Sequence, residues 1–211
     1  MIDRRTLLIG IATGLTGCGA ASTPATPAMP DRAKPLLQAT PRAAKLIAAA
    51  RAQIGVTLRY DPAYTALAFP NGDVPREKGV CTDVVIRAYR DAFGVDLQAL
   101  VNADMREGFA AYPHNWGLAR PDRSIDHRRV PNLAKFLMRH GARLPVPAGG
   151  SGWQPGDIFT SLVARTGTHI GIVSDVAGAK APLILHNIGG GAHEEDALLD
   201  WPITGRFRWQ V

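Results

Sequence analysis

The chain has 211 residues, 46% of them apolar, with two cysteines and a formal net charge of +6. That is enough chain to bury a core, and too few cysteines for a disulfide-stapled scaffold. The positive excess suits an anionic wall polymer or a lipid surface, and the lack of a dense basic run interleaved with aromatics argues against a nucleic-acid partner.

Arg4-Arg5 precede an apolar run from Leu7 to Leu15, far short of the roughly 20 residues that a membrane-spanning helix needs. A charged start, a short apolar stretch and small residues read as a signal peptide over residues 1–17. Leu15-Thr16-Gly17-Cys18 resembles the bacterial lipobox, whose cysteine is lipidated and becomes the first mature residue; Arg4-Arg5-Thr6-Leu7-Leu8 loosely resembles a twin-arginine export signal. Residues 18–39, rich in Ala, Thr and Pro, cannot bury enough surface to fold and read as a tether. The expectation is export to the cell envelope, lipid-anchored at the periplasmic face of a membrane, with a single domain over 40–211 and a monomeric state. If Cys18 carries lipid, Cys81 has no disulfide partner, which favours a chemical role over a buried structural one.

Thr40-Pro41 opens a helix of strong formers that should run to Gly55. Pro70-Asn71-Gly72-Asp73 marks a turn. A second helix begins at Cys81 or Thr82 and ends at Phe93, with Gly94 as its stop; Leu97–Met105 and Val130–His140 read as two more. Residues 157–163, 169–175, 183–188 and 206–210 read as antiparallel strands. Helices first and strands later indicate an α+β fold, with the N-terminal helices packed on a C-terminal antiparallel sheet.

The helix start at Cys81 presents unpaired N–H groups and a positive dipole end, which predicts a lowered thiol pKa and a ready oxyanion site. A base and an orienter are then needed. Of six histidines, His114, His127, His140 and His193 read as loop or surface residues. His169 opens one strand and His186 ends the next. A hairpin centred on Ala177-Gly178 would set them opposite each other, with Cβ atoms about 4.5–5.5 Å apart, unless Pro182 or a bulge shifts the register.

Cys81 opening a helix, Gly156-Asp157 starting a strand, and His169-Ile170-Gly171-Ile172-Val173 together resemble the NlpC-type branch of the papain-like fold. Tyr60-Asp61-Pro62, Gly79-Val80-Cys81-Thr82-Asp83-Val84, Ile125-Asp126-His127-Arg128-Arg129 and His186-Asn187-Ile188-Gly189 resemble the bacterial domain-of-unknown-function family 1287, from about Ile54 to Trp209. The superfamily resemblance implies amide hydrolysis, most often of cell-wall peptides, by a Cys81–His169–His186 triad through an acyl-enzyme. Asn187 is the weaker candidate for third member, Asp83 a supporting residue, and Tyr60 an oxyanion contributor for which Tyr64 competes. Residues 102–150 are longer than compact relatives need. They hold Trp116, and Arg128 and Arg129 as a clamp for a substrate carboxylate or, equally, as solvated charges at a helix entrance.

No cofactor or metal is required: His193-Glu194 lacks the second histidine of a zinc-protease helix. The partner expected is peptidoglycan or a related anionic wall polymer. Two alternatives stay open: a wall-binding module without catalysis, and a lipid-amide hydrolase or acyltransferase with the same triad.

Overall fold

The computed structural model describes residues 36–163 and 167–210. The signal segment, Cys18 and the tether through residue 35 lie outside the described residues. The end of the expected tether is already paired: Leu36 bridges Val176, and the Leu37 N–H donates to Asp175 O at 2.6 Å.

Helix α1 (Pro41–Arg51) starts where Thr40 accepts the Ala43 N–H at 3.1 Å. It stops four residues before Gly55, in turns that leave Gly55 at a φ of 77°. Two-residue strands β1 (Arg59–Tyr60) and β2 (Lys78–Gly79) pair in parallel and lead into α2 (Cys81–Phe93). Gly94 ends α2 in the left-handed conformation, at φ 69°. Helix α3 (Leu97–Gly108) runs past the expected end at Met105; α4 (Val130–Arg139) matches its expected span to within one residue.

The remaining strands are β3 (Arg143–Leu144), β4 (Ile158–Val163), β5 (Gly167–Ala177), β6 (Pro182–Asn187), β7 (Ala192–Glu195) and β8 (Ile203–Phe207). They form one antiparallel sheet in the order β3-β8-β4-β5-β6-β7. The fold is therefore mixed α+β, as expected. The last strand lies three residues earlier than expected, and β7 occupies the stretch around His193 where a loop is expected.

Both faces of the sheet are covered. Ile170, Ile172 and Leu185 point to α1, α2 and α4, in one core with Leu46, Val84, Val85 and Leu133. Phe159, Val173 and Ile184 point the other way, onto Trp153, Leu198 and Trp201. Along β5 this alternation sends His169 to the second face, with its ring 6.0 Å from that of Phe159 and 6.1 Å from Trp201.

The hairpin register differs from expectation. Ile172 pairs with Leu185 and Ala177 with Pro182, with a shift between Val173 and Ala177. The turn is closed by the Gly178 N–H on Ala181 O, at 2.9 Å. Extending the Ile172–Leu185 register sets His186 opposite Gly171 rather than His169. The two histidines meet diagonally across a position with no side chain.

Helix α2 is buried continuously from Cys81 to Tyr89, including Arg87 at 0% exposure. That guanidinium gathers the segment before the cysteine: Asp73 at 3.0 Å, Val74 O at 3.1 Å, Lys78 O at 3.0 Å and Thr57 Oγ1 at 3.0 Å. Removing one partner of such a set leaves the others buried and unpaired. Arg87→Met is expected to lower unfolding stability by about 3–5 kcal/mol. Urea denaturation of wild type and variant measures it, and a change below about 1 kcal/mol would refute the role given to Arg87.

Candidate active site

Cys81 is the first residue of α2, and the Asp83 carboxylate reaches back to take the Val80 N–H at 2.6 Å. Asp83 is itself gripped by Arg128 through two bonds, Nε to Oδ1 at 2.9 Å and Nη2 to Oδ2 at 2.8 Å, with both side chains buried. Thr82 adds a bond from its hydroxyl to Arg128 O at 2.9 Å. The turn at Asp126–Arg128 thus locks the first turn of α2.

The backbone N–H groups of Ile170, Thr82 and Cys81 face the Cys81 sulfur and favour its anion, and the Tyr60 hydroxyl lies beside it. Val173 donates its N–H to Asp157 O, on the β4 side, so by alternation the Ile170 N–H points toward β6. The thiol therefore rests against the edge of β5, at the peptide joining His169 to Ile170. Tyr60 is held there by β1–β2 pairing, and Asn187 tightens the same pair by donating to Gly79 O at 3.1 Å. Asn187 supports the approach to Cys81, and among the described residues its side-chain hydrogen bonds go to Arg59, Gly79 and Gly189 rather than to a histidine. Tyr64 bonds Asp122 instead, at 3.1 Å, so Tyr60 is the tyrosine at the sulfur.

His169 Nε2 lies 2.8 Å from His186 Nδ1, and His186 Nε2 lies 2.8 Å from Glu195 Oε1. This run assigns the protons. An ionised carboxylate only accepts, so His186 carries its proton on Nε2 and leaves Nδ1 as an acceptor. His169 must then donate from Nε2, which leaves a lone pair on Nδ1. Glu195 is held below the usual carboxylate range, chiefly against its own burial, by bonds from His193 and His186.

Charge balance at the thiol is opposite to the expectation from the helix start. Burial pushes Cys81 up to about 11, and Asp83 adds to the rise, while the N–H donors only moderate it. Burial lowers His169 to about 3 and His186 to about 4. Thiol and imidazoles are neutral in this state, because removing water costs a charge more than one helix terminus returns. Tyr60, half-buried beside the sulfur, is pushed up to about 12.

The thiol opens on a cleft of about 410 Å³ walled by Tyr60, Tyr64, Trp116, Arg129, Val130 and Thr168. Arg129 stacks over Trp116 at 4.0 Å and pairs with Asp126 at 2.9 Å. Arg128, Arg129 and Trp116 all line the cleft; Arg128 gives Nε and Nη2 to Asp83, while its Nη1 has no hydrogen-bond partner among the described residues. His127, read as a surface residue, is buried and lowered to about 4 by desolvation. His193, read as solvated, sits on β7 opposite His186.

Glu195 was missed in the sequence. The signal was a period-two pair, His193 and Glu195, sharing a strand face with His186; the neighbouring glycines and acidic residues disguised it as loop.

Comparison with known proteins follows the same stretch. The family described as "Domain of unknown function (DUF1287)" matches residues 47–209. The uncharacterized protein YijF of Escherichia coli (strain K12) is 53% identical over 163 residues, covering 77% of this chain and 79% of that protein. The chain belongs to the DUF1287 family.

Two outcomes follow from the buried, neutral site. Cys81 alkylation by iodoacetamide is expected to be slow at pH 7 and still rising above pH 9; a plateau below pH 8, followed by mass on the Cys81 peptide, would contradict it. The second concerns stability. His127, His169 and His186 have folded pKa values below the unfolded 6.5, so the unfolded chain alone gains protons as pH falls below 6.5. Their contribution is full above pH 6.5 and is lost downward toward pH 4 and 3, at roughly 2 kcal/mol per histidine by pH 5. Urea midpoints measured with chelator at pH 7.5 and 5.0 should differ accordingly, and equal midpoints would refute the burial of neutral imidazoles.

Proposed function

We propose that this member of the family is an exported cysteine hydrolase of the papain-like, NlpC-type kind, which cuts an amide bond in peptidoglycan peptides. The observation that carries the reading is the hydrogen-bonded run His169–His186–Glu195, which ends on the residue before Ile170, whose backbone N–H faces the Cys81 thiol at a helix start. A carboxylate and two imidazoles bonded in that order, on the strand next to a thiol, have a use as a general-base relay, and little as packing.

The chemistry starts from a neutral pair. His169 Nδ1 takes the thiol proton as the sulfur attacks the amide carbonyl carbon. His186 and Glu195 hold the imidazolium that forms, and the developing oxyanion takes the Cys81 N–H and the Tyr60 hydroxyl. The amine leaves with the proton from His169, and a thioester remains on Cys81. Water, deprotonated by the same imidazole, attacks the thioester; acid product departs and the thiol regains its proton. Because thiol and base are both neutral at rest, the nucleophile is generated only when a carbonyl occupies the cleft.

The setting of this activity is the cell envelope, with Cys18 carrying the lipid anchor at the periplasmic face of a membrane. Among the described residues no helix is long and apolar enough to cross a membrane. An aromatic cleft wall with Arg129 beside Trp116 suits a peptide that bears free carboxylates, as wall peptides do. Purified sacculi digested with wild type and with Cys81→Ala, then separated and weighed by mass spectrometry, test the reading. Wild type is expected to release muropeptides with new amine ends and Cys81→Ala none; equal release from both sinks the proposal.

A further inference from the structure

One cluster lies beyond the thiol and needs no hydrolytic role to be interpreted. His186 pairs with His193 across β6 and β7, and Glu195 stands two residues along on the same face. The two imidazole rings are 4.6 Å apart between centroids. Glu195 Oε1 is 2.8 Å from His186 Nε2 and 3.2 Å from His193 Nε2, and one ligand atom from each residue falls within 4.8 Å of the others. Two imidazole nitrogens and a carboxylate oxygen at such separations are the donor set of a tetrahedral zinc site, where bonds of about 2.0–2.2 Å set ligand atoms some 3.3 Å apart. The ligands stand on paired strands, so the site is rigid. His186 is fully buried, while the side chains of His193 and Glu195 are 33% and 41% exposed, which gives an ion a way in and leaves room for water as a fourth ligand.

We propose that His186, His193 and Glu195 bind Zn²⁺, and that the bound ion switches the histidine pair to a tautomer that cannot accept the Cys81 proton. The second half rests on the hydrolase reading; the first does not. Without metal, Glu195 keeps the His186 proton on Nε2, and the His169 proton lies on Nε2 as well. A metal on His186 Nε2 requires that nitrogen's lone pair. The His186 proton then moves to Nδ1, which becomes a donor to His169 Nε2. His169 answers by carrying its own proton on Nδ1, the nitrogen that the hydrolase reading assigns to the thiol proton. Each ring holds one proton before and after, so no proton is gained or lost by the pair. What is lost is the lone pair that serves the thiol. The ion's positive charge further disfavours an imidazolium at His169.

The ligands come from two paired strands rather than one helix, so no contiguous sequence motif marks them. His193, which has no place in the relay itself, contributes a ligand and also holds Gly191 O at 2.8 Å through its other nitrogen, fixing the ring that faces the ion.

The test uses the full chain. In a Cys81→Ser background, which removes the thiol as a competing ligand, Zn²⁺ is titrated by calorimetry and Co²⁺ by visible absorption. One saturable site is expected, with the intense bands of tetrahedral cobalt, weakened about tenfold or more by His193→Ala or His193→Gln. In the chain that retains Cys81, iodoacetamide labelling of the Cys81 peptide is followed by mass at pH 8. Zn²⁺ is expected to slow it about fivefold or more and chelator to restore it, whereas the His193 variants label at one rate with and without Zn²⁺. Absence of saturable binding, or equal binding by the His193 variants, overturns the site. Labelling that ignores bound Zn²⁺, or is slowed equally in the His193 variants, overturns the switch. Neither readout uses a wall substrate, so the Zn²⁺ site stands whether or not the sacculus assay fails.

Discussion

The buried pair of Asp83 and Arg128 is the interaction on which the arrangement of this protein depends. Asp83 closes the start of α2 by taking the Val80 N–H, and the same carboxylate takes the fork of Arg128 from a turn forty-five residues away in sequence. One anion thereby joins the helix that carries Cys81 to the long segment between α2 and the sheet. A buried ion pair of this kind returns little net stability, because desolvating both charges offsets their attraction. Its value is geometric: both carboxylate oxygens are held, Oδ1 by Arg128 and Oδ2 by Arg128 and the Val80 N–H, so the start of the helix that carries the cysteine is fixed by the pairing.

Burial then decides the electrostatics. A helix start favours a thiolate by a fraction of a kilocalorie to about 2 kcal/mol, but full desolvation of the sulfur and a neighbouring carboxylate weigh more, and the thiol stays protonated. The same loss of water keeps His169 and His186 neutral. In a neutral site the direction of hydrogen bonds carries the information that charge would otherwise carry. Glu195, partly exposed at the far end of the run, determines which nitrogen of His169 holds a lone pair.

That arrangement joins the hydrolase reading to the metal reading in one physical statement. A carboxylate and a cation make opposite demands on His186 Nε2: the first asks it to donate, the second to offer a lone pair. Whichever occupies that end sets the tautomer two rings away. Gly171 makes the coupling possible, because the diagonal contact between His169 and His186 crosses its position, and an added Cβ there would press on the Phe159 ring and on Leu185 O.

Much of this was legible in the residues. Helix starts and stops, the α+β order, Cys81 at a helix start, and the pairing of His169 with His186 follow from local signals: caps, glycine stops, and apolar periodicity. Those signals act over a few residues and need no knowledge of the rest of the chain. Tertiary structure decided what depends on distant contacts. It set the two-residue register shift that makes the histidines meet diagonally, gave Tyr60 rather than Tyr64 to the sulfur, tied two nitrogens of Arg128 to Asp83, and brought Glu195 and His193 beside His186. It also reversed the sign of the cysteine's pKa shift, since a helix terminus is readable from local sequence while the removal of water around Cys81 requires the sheet, the helices and the intervening segment to close together.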